Sequence, residues 1–364
     1  MKNMYIDFHI IQTVPPSCVN RDDTGSPKTA VYGGTMRARV SSQAWKRAMR
    51  LKFKELFTSD LVGYRTKKTA ALVADQICSR HPELLRDDAE KMAEVVLELA
   101  GVKAGTDKKD ALFFISSLQA AKVAELAVEY HNDKTAKKEK DKLFKAALEK
   151  ALNDRPSVDI LLFGRMAASN PSLNYDAAAQ VAHSISTHTV SNEYDYFTAV
   201  DDCDRKEDMG AGHLGTVEFN SATLYRYASV NIKELAENLN VDELKIAVRG
   251  FAEAFIRSMP TGRQNTFANR TLPDLVYVTV REDQPINLAG AFEKPVFAGT
   301  DGYVVKSKKA LIEHACDVYE NYTASPKTSW VVGKDCGNFA LKVNIDQLLE
   351  EISQEVERYA AGEE

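Results

Sequence analysis

The stretch MRARVSSQAWKRAMRLKFK, residues 36–54, combines a helix start with the strongest positive block of the chain: seven basic residues and no acidic one. Ser41 or Ser42 can act as the helix N-cap, because a serine hydroxyl accepts a hydrogen bond from a first-turn amide. Apolar residues then recur at helical spacing within an arc of about 80°, which predicts one buried helix face. These residues are Trp45, Met49, Phe53 and Leu56.

Cations of the same predicted helix share an adjoining arc of about 100°. They are Lys46, Arg47, Arg50 and Lys54. An ordinary solvated helix face mixes signs, with Glu and Lys four residues apart, and this face does not. Since a stripe of one sign can follow a phosphate backbone, the pattern favours phosphate binding over a plain solvated surface.

This helix and five further predicted elements follow the order βαββαβ, the ferredoxin-like pattern that RRM-type RNA binders share. No RNP1-like aromatic motif accompanies it. A largely helical stretch, 60–155, interrupts the pattern, and two further helices follow it at 307–322 and 345–360. The six elements of the pattern are strand 4–13, helix 42–57, strand 157–163, strand 216–228, helix 242–258 and strand 274–281.

The segment 191–215 differs from its surroundings, with seven acidic and two basic residues followed by a glycine-rich end. Its length and composition predict a projecting hairpin or loop, and loops of this length usually carry function. Tyr196, Phe197 and Leu214 lie near its two ends. Apolar groups so placed either seat the loop or wedge between nucleic-acid bases.

Composition limits the remaining classes. The 364 residues, 44% hydrophobic and 27% charged with a net charge of −5, are typical of a globular protein of one large domain with an insertion, or of two domains. No apolar run approaches a membrane span, and the start indicates a strand rather than a secretory signal, so we expect a cytoplasmic protein. Five scattered cysteines and seven histidines show no metal-binding spacing, which predicts no disulfide framework, no metal and no cofactor.

Several blocks resemble, in order, the backbone subunit of the type I-E CRISPR surveillance complex Cascade, the CasC family of the RAMP superfamily. The stretch R-x-R-V-S-S-Q-x-x-K-R-A-M-R is the most specific of them. The blocks are PSCVNRDDTGSPKTAVYGGTMRARVSSQAWKRAMR (16–50), FGRMAAS (163–169), AHSISTHTV (182–190), DYFTAVDD (195–202) and GHLGTVEFNSATLYRYA (212–228).

The resemblance implies an α+β fold with a modified RRM-like, ferredoxin-like palm, helical fingers and a thumb hairpin. It also implies a non-catalytic subunit whose copies assemble head to tail along one CRISPR RNA and present it in kinked segments to target DNA. Implied partners are the large subunit, the small subunit, the guide 5′-end subunit and the guide-processing endoribonuclease. The corresponding ranges are 1–59 (palm with the basic helix), 60–155 (fingers), 156–190 (palm), 191–215 (thumb) and 216–364 (palm and C-terminal helices).

The same resemblance implies RNA-binding roles for individual residues. Met166 matches a position that packs on RNA near each kink, and Phe197 and Leu214 match thumb residues that displace a base. We further expect the acidic segment 201–208 to meet a basic surface on the next copy. The guide-backbone contacts and the neighbouring basic positions of the motif are Arg21, Arg37, Arg39, Ser41, Gln43, Lys46, Arg47 and Arg50.

Three alternatives stay open. A metal-dependent ribonuclease could use the pairs Asp22 and Asp23 or Asp201 and Asp202, although adjacent carboxylates point apart in regular structure. A scaffold without nucleic acid would leave the basic face unexplained. Nonspecific single-strand binding normally needs several aromatics exposed on one sheet. A lysine run, 134–145, is either a solvated helix or loop, or a contact to nucleic acid such as the target DNA.

Overall fold

The computed structural model describes residues 2–103, 112–199 and 213–362. The chain divides into two compact units, Met1–Lys52 with Gln180–Glu364, and Phe53–Ala179. Within the described ranges, none of the helices combines the length and the apolar composition that crossing a membrane demands.

The strands and helices are numbered along the chain. The strands are β1 (Tyr5–Ser17), β2 (Thr29–Tyr32), β3 (Thr35–Val40), β4 (Tyr64–Thr66), β5 (Phe113–Ile115), β6 (Ala179–Val181), β7 (Ser184–Ser186), β8 (Glu193–Ala199), β9 (His213–Asn231), β10 (Leu275–Arg281), β11 (Thr328–Gly333) and β12 (Leu341–Lys342). The helices are α1 (Ser42–Leu56), α2 (Thr69–Arg80), α3 (Arg86–Leu99), α4 (Ser117–Asn132), α5 (Lys137–Asn153), α6 (Val158–Phe163), α7 (Ile232–Ala236), α8 (Val241–Arg257), α9 (Gln264–Phe267), α10 (Val304–Asn321) and α11 (Ile345–Ala361).

The first unit is built on one sheet of strand order β12-β11-β10-β1-β9-β7-β3-β2. Its central part, β10-β1-β9-β7, is antiparallel throughout. This is the strand order of a ferredoxin-like βαββαβ fold, with α1 and α8 as the two helices, and it confirms the predicted α+β class. Phe8 of β1 packs against Phe251 and Phe255 of α8, with ring centroids 5.7 Å and 6.1 Å apart.

The predicted strand 157–163 is wrong, because these residues begin a buried helix, α6. Asp159 fixes its first turn by accepting hydrogen bonds from the Ser157 hydroxyl at 2.7 Å and the Gly63 amide at 2.8 Å. A short continuous apolar run lacks the periodicity that separates a buried strand from a buried helix. The second strand of the pattern is β7, whose three residues are too few to produce a sequence signal.

The second unit contains a helical core in which α2, α3, α4 and α5 pack together. The predicted insertion, 60–155, lies inside this unit. Arg165 is buried there and donates hydrogen bonds to the carbonyl oxygens of Leu173, Phe114 and Leu152. A capping box of Ser116 and Gln119 starts α4.

The predicted hairpin 191–215 corresponds to an antiparallel ribbon of β8 and the first part of β9. Its register runs from Glu193 opposite Phe219 to Ala199 opposite His213. The acidic segment 201–208, which we expected to meet a second copy, lies outside the described residues. The ribbon therefore confirms the hairpin pairing for its described part.

Candidate nucleic-acid interface

The basic helix α1 starts at a cap that also anchors the preceding loop. The hydroxyl of Ser41 accepts a hydrogen bond from the Ala44 amide at 3.3 Å, so Ser41 is the N-cap. Its own amide donates to the side-chain oxygen of Asn20 at 2.9 Å. Since only 4% of Ser41 is exposed, its hydroxyl serves the helix start in this structure.

The apolar face of α1 is buried as its spacing predicts. Trp45, Met49 and Phe53 are almost completely covered, and Leu56 is half-buried. The indole nitrogen of Trp45 donates a hydrogen bond to the Ser184 hydroxyl of β7 at 2.9 Å. This bond joins β7 to α1 at the residue directly before Lys46.

The side of α1 that adjoins the apolar face carries the predicted cations. Gln43, Arg47 and Lys54 are exposed, and Lys46 and Arg50 are half-buried beside the apolar face. The first turn has no acidic residue, and Glu55 is the first acid along the helix. The surface of α1 up to Lys54 therefore has one sign of charge and, with Gln43, offers only neutral and cationic donors.

The two arginines of β3 do not share one environment. Arg37 is buried, and its guanidinium donates to the carbonyl oxygens of Ser186, Phe292 and Glu293 at 3.0–3.2 Å. The prediction that Arg37 is an RNA-facing cation therefore needs correction, because the folded chain surrounds its donors. Arg39 is half-buried at the rim, where it bonds His183 at 3.1 Å, and burial lowers the pKa of that histidine.

The loop before β2 exposes Arg21 and folds around Asp22. The Asp22 carboxylate accepts hydrogen bonds from the Thr24 hydroxyl at 2.7 Å and from the amides of Thr24 and Ser26 at 3.0 Å. The hydroxyl bond is the main cause that lowers the pKa of this carboxyl. Asp22 thus shapes its own turn, and its neighbour Asp23 is exposed.

The β8–β9 ribbon presents aromatic side chains on both faces. Phe197 is 41% exposed and lies opposite Gly215, where a Cβ atom would come within 2.3 Å of the ring. The ring therefore covers the glycine backbone. Tyr194 and Tyr196 alternate with Phe197 and face the other side. Leu214 pairs with Thr198 in the register, and its side chain lies outside the described residues.

Met166 belongs to the second unit and is 79% exposed, which is unusual for a methionine. It follows the buried Arg165 and precedes Ala167, whose amide donates to the Asn174 side chain at 2.7 Å. An exposed thioether on a fixed backbone can pack on a planar ring.

Sequence reasoning missed Arg226 of β9, which lies beneath α1. Its guanidinium carbon is 3.8 Å from the centre of the Trp45 ring. A single arginine in a strand gives no signal that it will be buried.

In the part of the chain that the structure describes, no three His, Cys, Asp or Glu side chains converge as a metal site would require.

Comparisons with known proteins agree with the architecture. A chain of a CRISPR RNA-guided surveillance complex, pre-nicking, is 32% identical with a TM-score of 0.79, over 97% of this chain and 100% of that chain. A chain of a second CRISPR RNA-guided surveillance complex is 29% identical with a TM-score of 0.61, over 96% and 99%. No curated protein sequence matches. The family of Cas proteins described as CT1975-like protein matches residues 6–355, and the chain therefore belongs to the CT1975-like protein family.

Proposed function

We propose that the chain is the CRISPR RNA-binding backbone subunit of a type I-E Cascade complex. Copies assemble head to tail along the guide and hold it in kinked segments that pair with target DNA in antiviral defence. The observation that carries this proposal is the exposed face of α1, which is free of acidic side chains up to Lys54. The similarity to chains of CRISPR RNA-guided surveillance complexes supports it.

The chemistry of α1 suits a guide of any sequence. Where base pairing reads the sequence, the protein needs to hold the backbone and shape of the RNA, without side chains that select bases. Lys46 and Arg50 are one helical turn apart and supply charge to successive phosphates, while the Gln43 amide donates to phosphate or sugar oxygens. In this proposal Arg21, Arg39 and Arg47 supply further charge to the guide backbone.

The ribbon and Met166 supply the kinks in this proposal. Phe197, supported on Gly215, is a rigid apolar group on a narrow ribbon, and such groups unstack bases where they enter. Met166 gives an apolar platform against an unstacked base. We further propose cytoplasmic localisation and assembly with the large, small, guide 5′-end and guide-processing subunits of the complex.

The first experiment tests guide binding. Replacing Lys46 and Arg50 by alanine removes two phosphate contacts, so the slope of log K against log salt should fall by about 1.4 for single-stranded RNA. Lys245→Ala with Arg249→Ala is the matched control, because these residues have the same spacing on α8 and pair with Glu357 and Glu350. An unchanged slope in the α1 variant contradicts the proposal.

The second experiment separates a filament-forming binder from a ribonuclease. Purified protein is incubated with end-labelled CRISPR RNA and Mg²⁺, and bound species and RNA length are resolved on native and denaturing gels. We expect stepwise shifts with intact RNA. The turn contacts of the Asp22 carboxylate support a non-catalytic loop. Shortening of the RNA that is abolished by EDTA or by Asp23→Ala would favour the ribonuclease.

Head-to-tail assembly is tested on long guides. Charge reversal at Asp201 and Asp202 should reduce the number of stepwise shifts on a long guide and leave the first shift unchanged, if the acidic thumb meets a basic surface of the next copy. Equal loss of all shifts contradicts this role. A heterologous contact of this kind generates an open filament.

A further inference from the structure

Arg226 occupies the space between the sheet and both of its helices. Only 1% of the residue is exposed. Its guanidinium lies 3.8 Å from the centre of the Trp45 ring of α1 and 4.6 Å from that of Phe255 of α8. It also donates hydrogen bonds to the Gln12 side chain of β1 at 2.5 Å and to the Phe255 carbonyl. One side chain thus joins two helices and two strands.

The charge of Arg226 has no carboxylate opposite it in the described ranges. Burial lowers the pKa of the guanidinium to about 9, so the group stays cationic at neutral pH. Its Nε atom is buried and has no hydrogen-bond partner among the described residues. A buried cation without a carboxylate is costly, and an apolar side chain of similar size is often as stable or more stable at such a position. Stability is therefore a poor explanation for an arginine here.

The geometry points to a different task. A guanidinium is planar, so stacking on Trp45 fixes the plane of the indole as well as its depth. The hydrogen bond from the Trp45 indole nitrogen to the Ser184 hydroxyl fixes one edge of the ring. Met49 and Phe53 bury the same helix face, and a Trp45 ring that is fixed in plane further restricts rotation of α1 about its axis. A rotation of about 30° would move a side chain about 6 Å from that axis by about 3 Å, the length of a hydrogen bond.

We propose that Arg226 is a positioning residue that fixes the rotation of α1 and so preforms the phosphate-binding face before RNA arrives. This inference rests on the proposed function. Lys46 directly follows Trp45, and Arg50 lies one turn later, so both take their direction from the same anchor. Arg226 touches no phosphate itself and acts through Trp45.

The test compares Arg226→Met, Arg226→Lys and wild type for RNA affinity and salt slope. Methionine keeps much of the volume, and lysine keeps the charge without the plane. If the loss of alignment removes two phosphate contacts, the salt slope falls by about 1.4 and binding weakens about tenfold at 0.15 M salt. Arg226→Lys should show the same loss in reduced form. Arg281→Met is the control, because Arg281 is also buried in the sheet but bonds Asp283 instead of α1.

Fluorescence gives a readout that a merely structural role would not move. In a Trp330→Phe background Trp45 is the only tryptophan. With Arg226 present, emission and acrylamide quenching of Trp45 should stay constant when RNA binds. With Arg226→Met both should change on binding, because α1 then aligns on the RNA.

The outcomes distinguish this inference from the proposed function. If Lys46→Ala with Arg50→Ala weakens binding and folded Arg226→Met keeps the wild-type slope and an affinity within twofold, only the positioning role of Arg226 is overturned. If the α1 variant itself binds normally, the proposed function fails. Should Arg226→Met not fold, Arg226→Lys decides, and a wild-type slope in that variant overturns the inference.

Discussion

Asp7 and His9 make a quantitative prediction about acid stability, because burial shifts their titration in opposite directions. Both point from β1 to the sheet face opposite α8. His9 hydrogen bonds the Tyr225 hydroxyl at 2.9 Å, and Asp7 accepts from the Tyr227 hydroxyl at 3.1 Å and the Ile286 amide at 2.8 Å. Burial lowers the pKa of His9 to about 3, with a smaller effect of Arg281, and raises the pKa of Asp7 to about 6.

The signs follow from proton uptake. Below the ordinary histidine pKa of 6.5, His9 is protonated in the unfolded chain but stays neutral in the folded chain. Acidification therefore lowers the free energy of unfolding. Between the folded and ordinary pKa values of Asp7, about 6 and 3.8, the folded chain binds the proton first, and acidification raises that free energy. From pH 6 to pH 4 each contribution changes by roughly 2–3 kcal/mol, so the two nearly cancel in the wild type.

Replacing His9 or Asp7 should reveal the contribution of each residue to the pH dependence of the free energy of unfolding. When the pH is lowered from 6 to 4, the free energy of unfolding of His9→Phe should rise by roughly 2–3 kcal/mol relative to wild type. That of Asp7→Asn should fall by roughly 2 kcal/mol relative to wild type. Urea unfolding followed by tryptophan fluorescence measures this, since Trp45 and Trp330 both lie in the sheet unit. Asp301→Asn, an exposed loop change, is the control. If the free energy of unfolding of each variant differs from that of wild type by an amount that does not vary with pH, the opposed titration of Asp7 and His9 is refuted.

Other predictions concern the ribbon, the helix cap and a loop contact. Gly215→Val should push the Phe197 ring off the ribbon, because a Cβ atom would lie 2.3 Å from it, and chemical footprints at kinked guide nucleotides should change as they do in Phe197→Ala. Ser41→Ala should lower the free energy of unfolding by about 1 kcal/mol through loss of the cap, and Ser42→Ala by less, in urea titrations. Gly262→Ala places a Cβ atom 2.1 Å from a backbone oxygen and should cost about 1–3 kcal/mol, measured as a lower Tm.

The sequence predicts most of the fold wherever periodicity is long. The helix 42–57 and the strands 4–13 and 274–281 appear within a few residues of their predicted ends, because a sustained period, or a run rich in β-branched and aromatic residues, leaves few alternatives. The run 157–163 carries no period at all, and it forms α6. The strand β7 is three residues long and is specified by its pairing with β9, which sequence spacing does not reveal.

In the candidate site too, some features follow from local sequence spacing and others from contacts with distant parts of the chain. The exposed face of α1 follows from spacing within one helix, and the structure bears out which of its residues are buried. Arg37 and Arg39 are two residues apart on β3 and therefore share a face. Only Arg37 is covered, because the segment Phe292–Glu293, some 255 positions away, supplies carbonyl oxygens to it. No local pattern contains that information.

The net charge of −5 and the basic face of α1 are compatible because screening makes charge a local property. At physiological ionic strength the Debye length is about 8 Å, so a phosphate on the exposed α1 surface responds chiefly to the groups beside it. Of the seven basic residues in 36–54, Arg37 is buried by carbonyl groups and adds little direct contact. Lys46, Arg47, Arg50 and Lys54 instead share one side of a helix that Trp45 anchors. The surface that we propose for RNA binding thus depends on helix rotation as much as on composition. A change at buried Arg226 should therefore alter RNA binding, although it leaves every exposed cation in place.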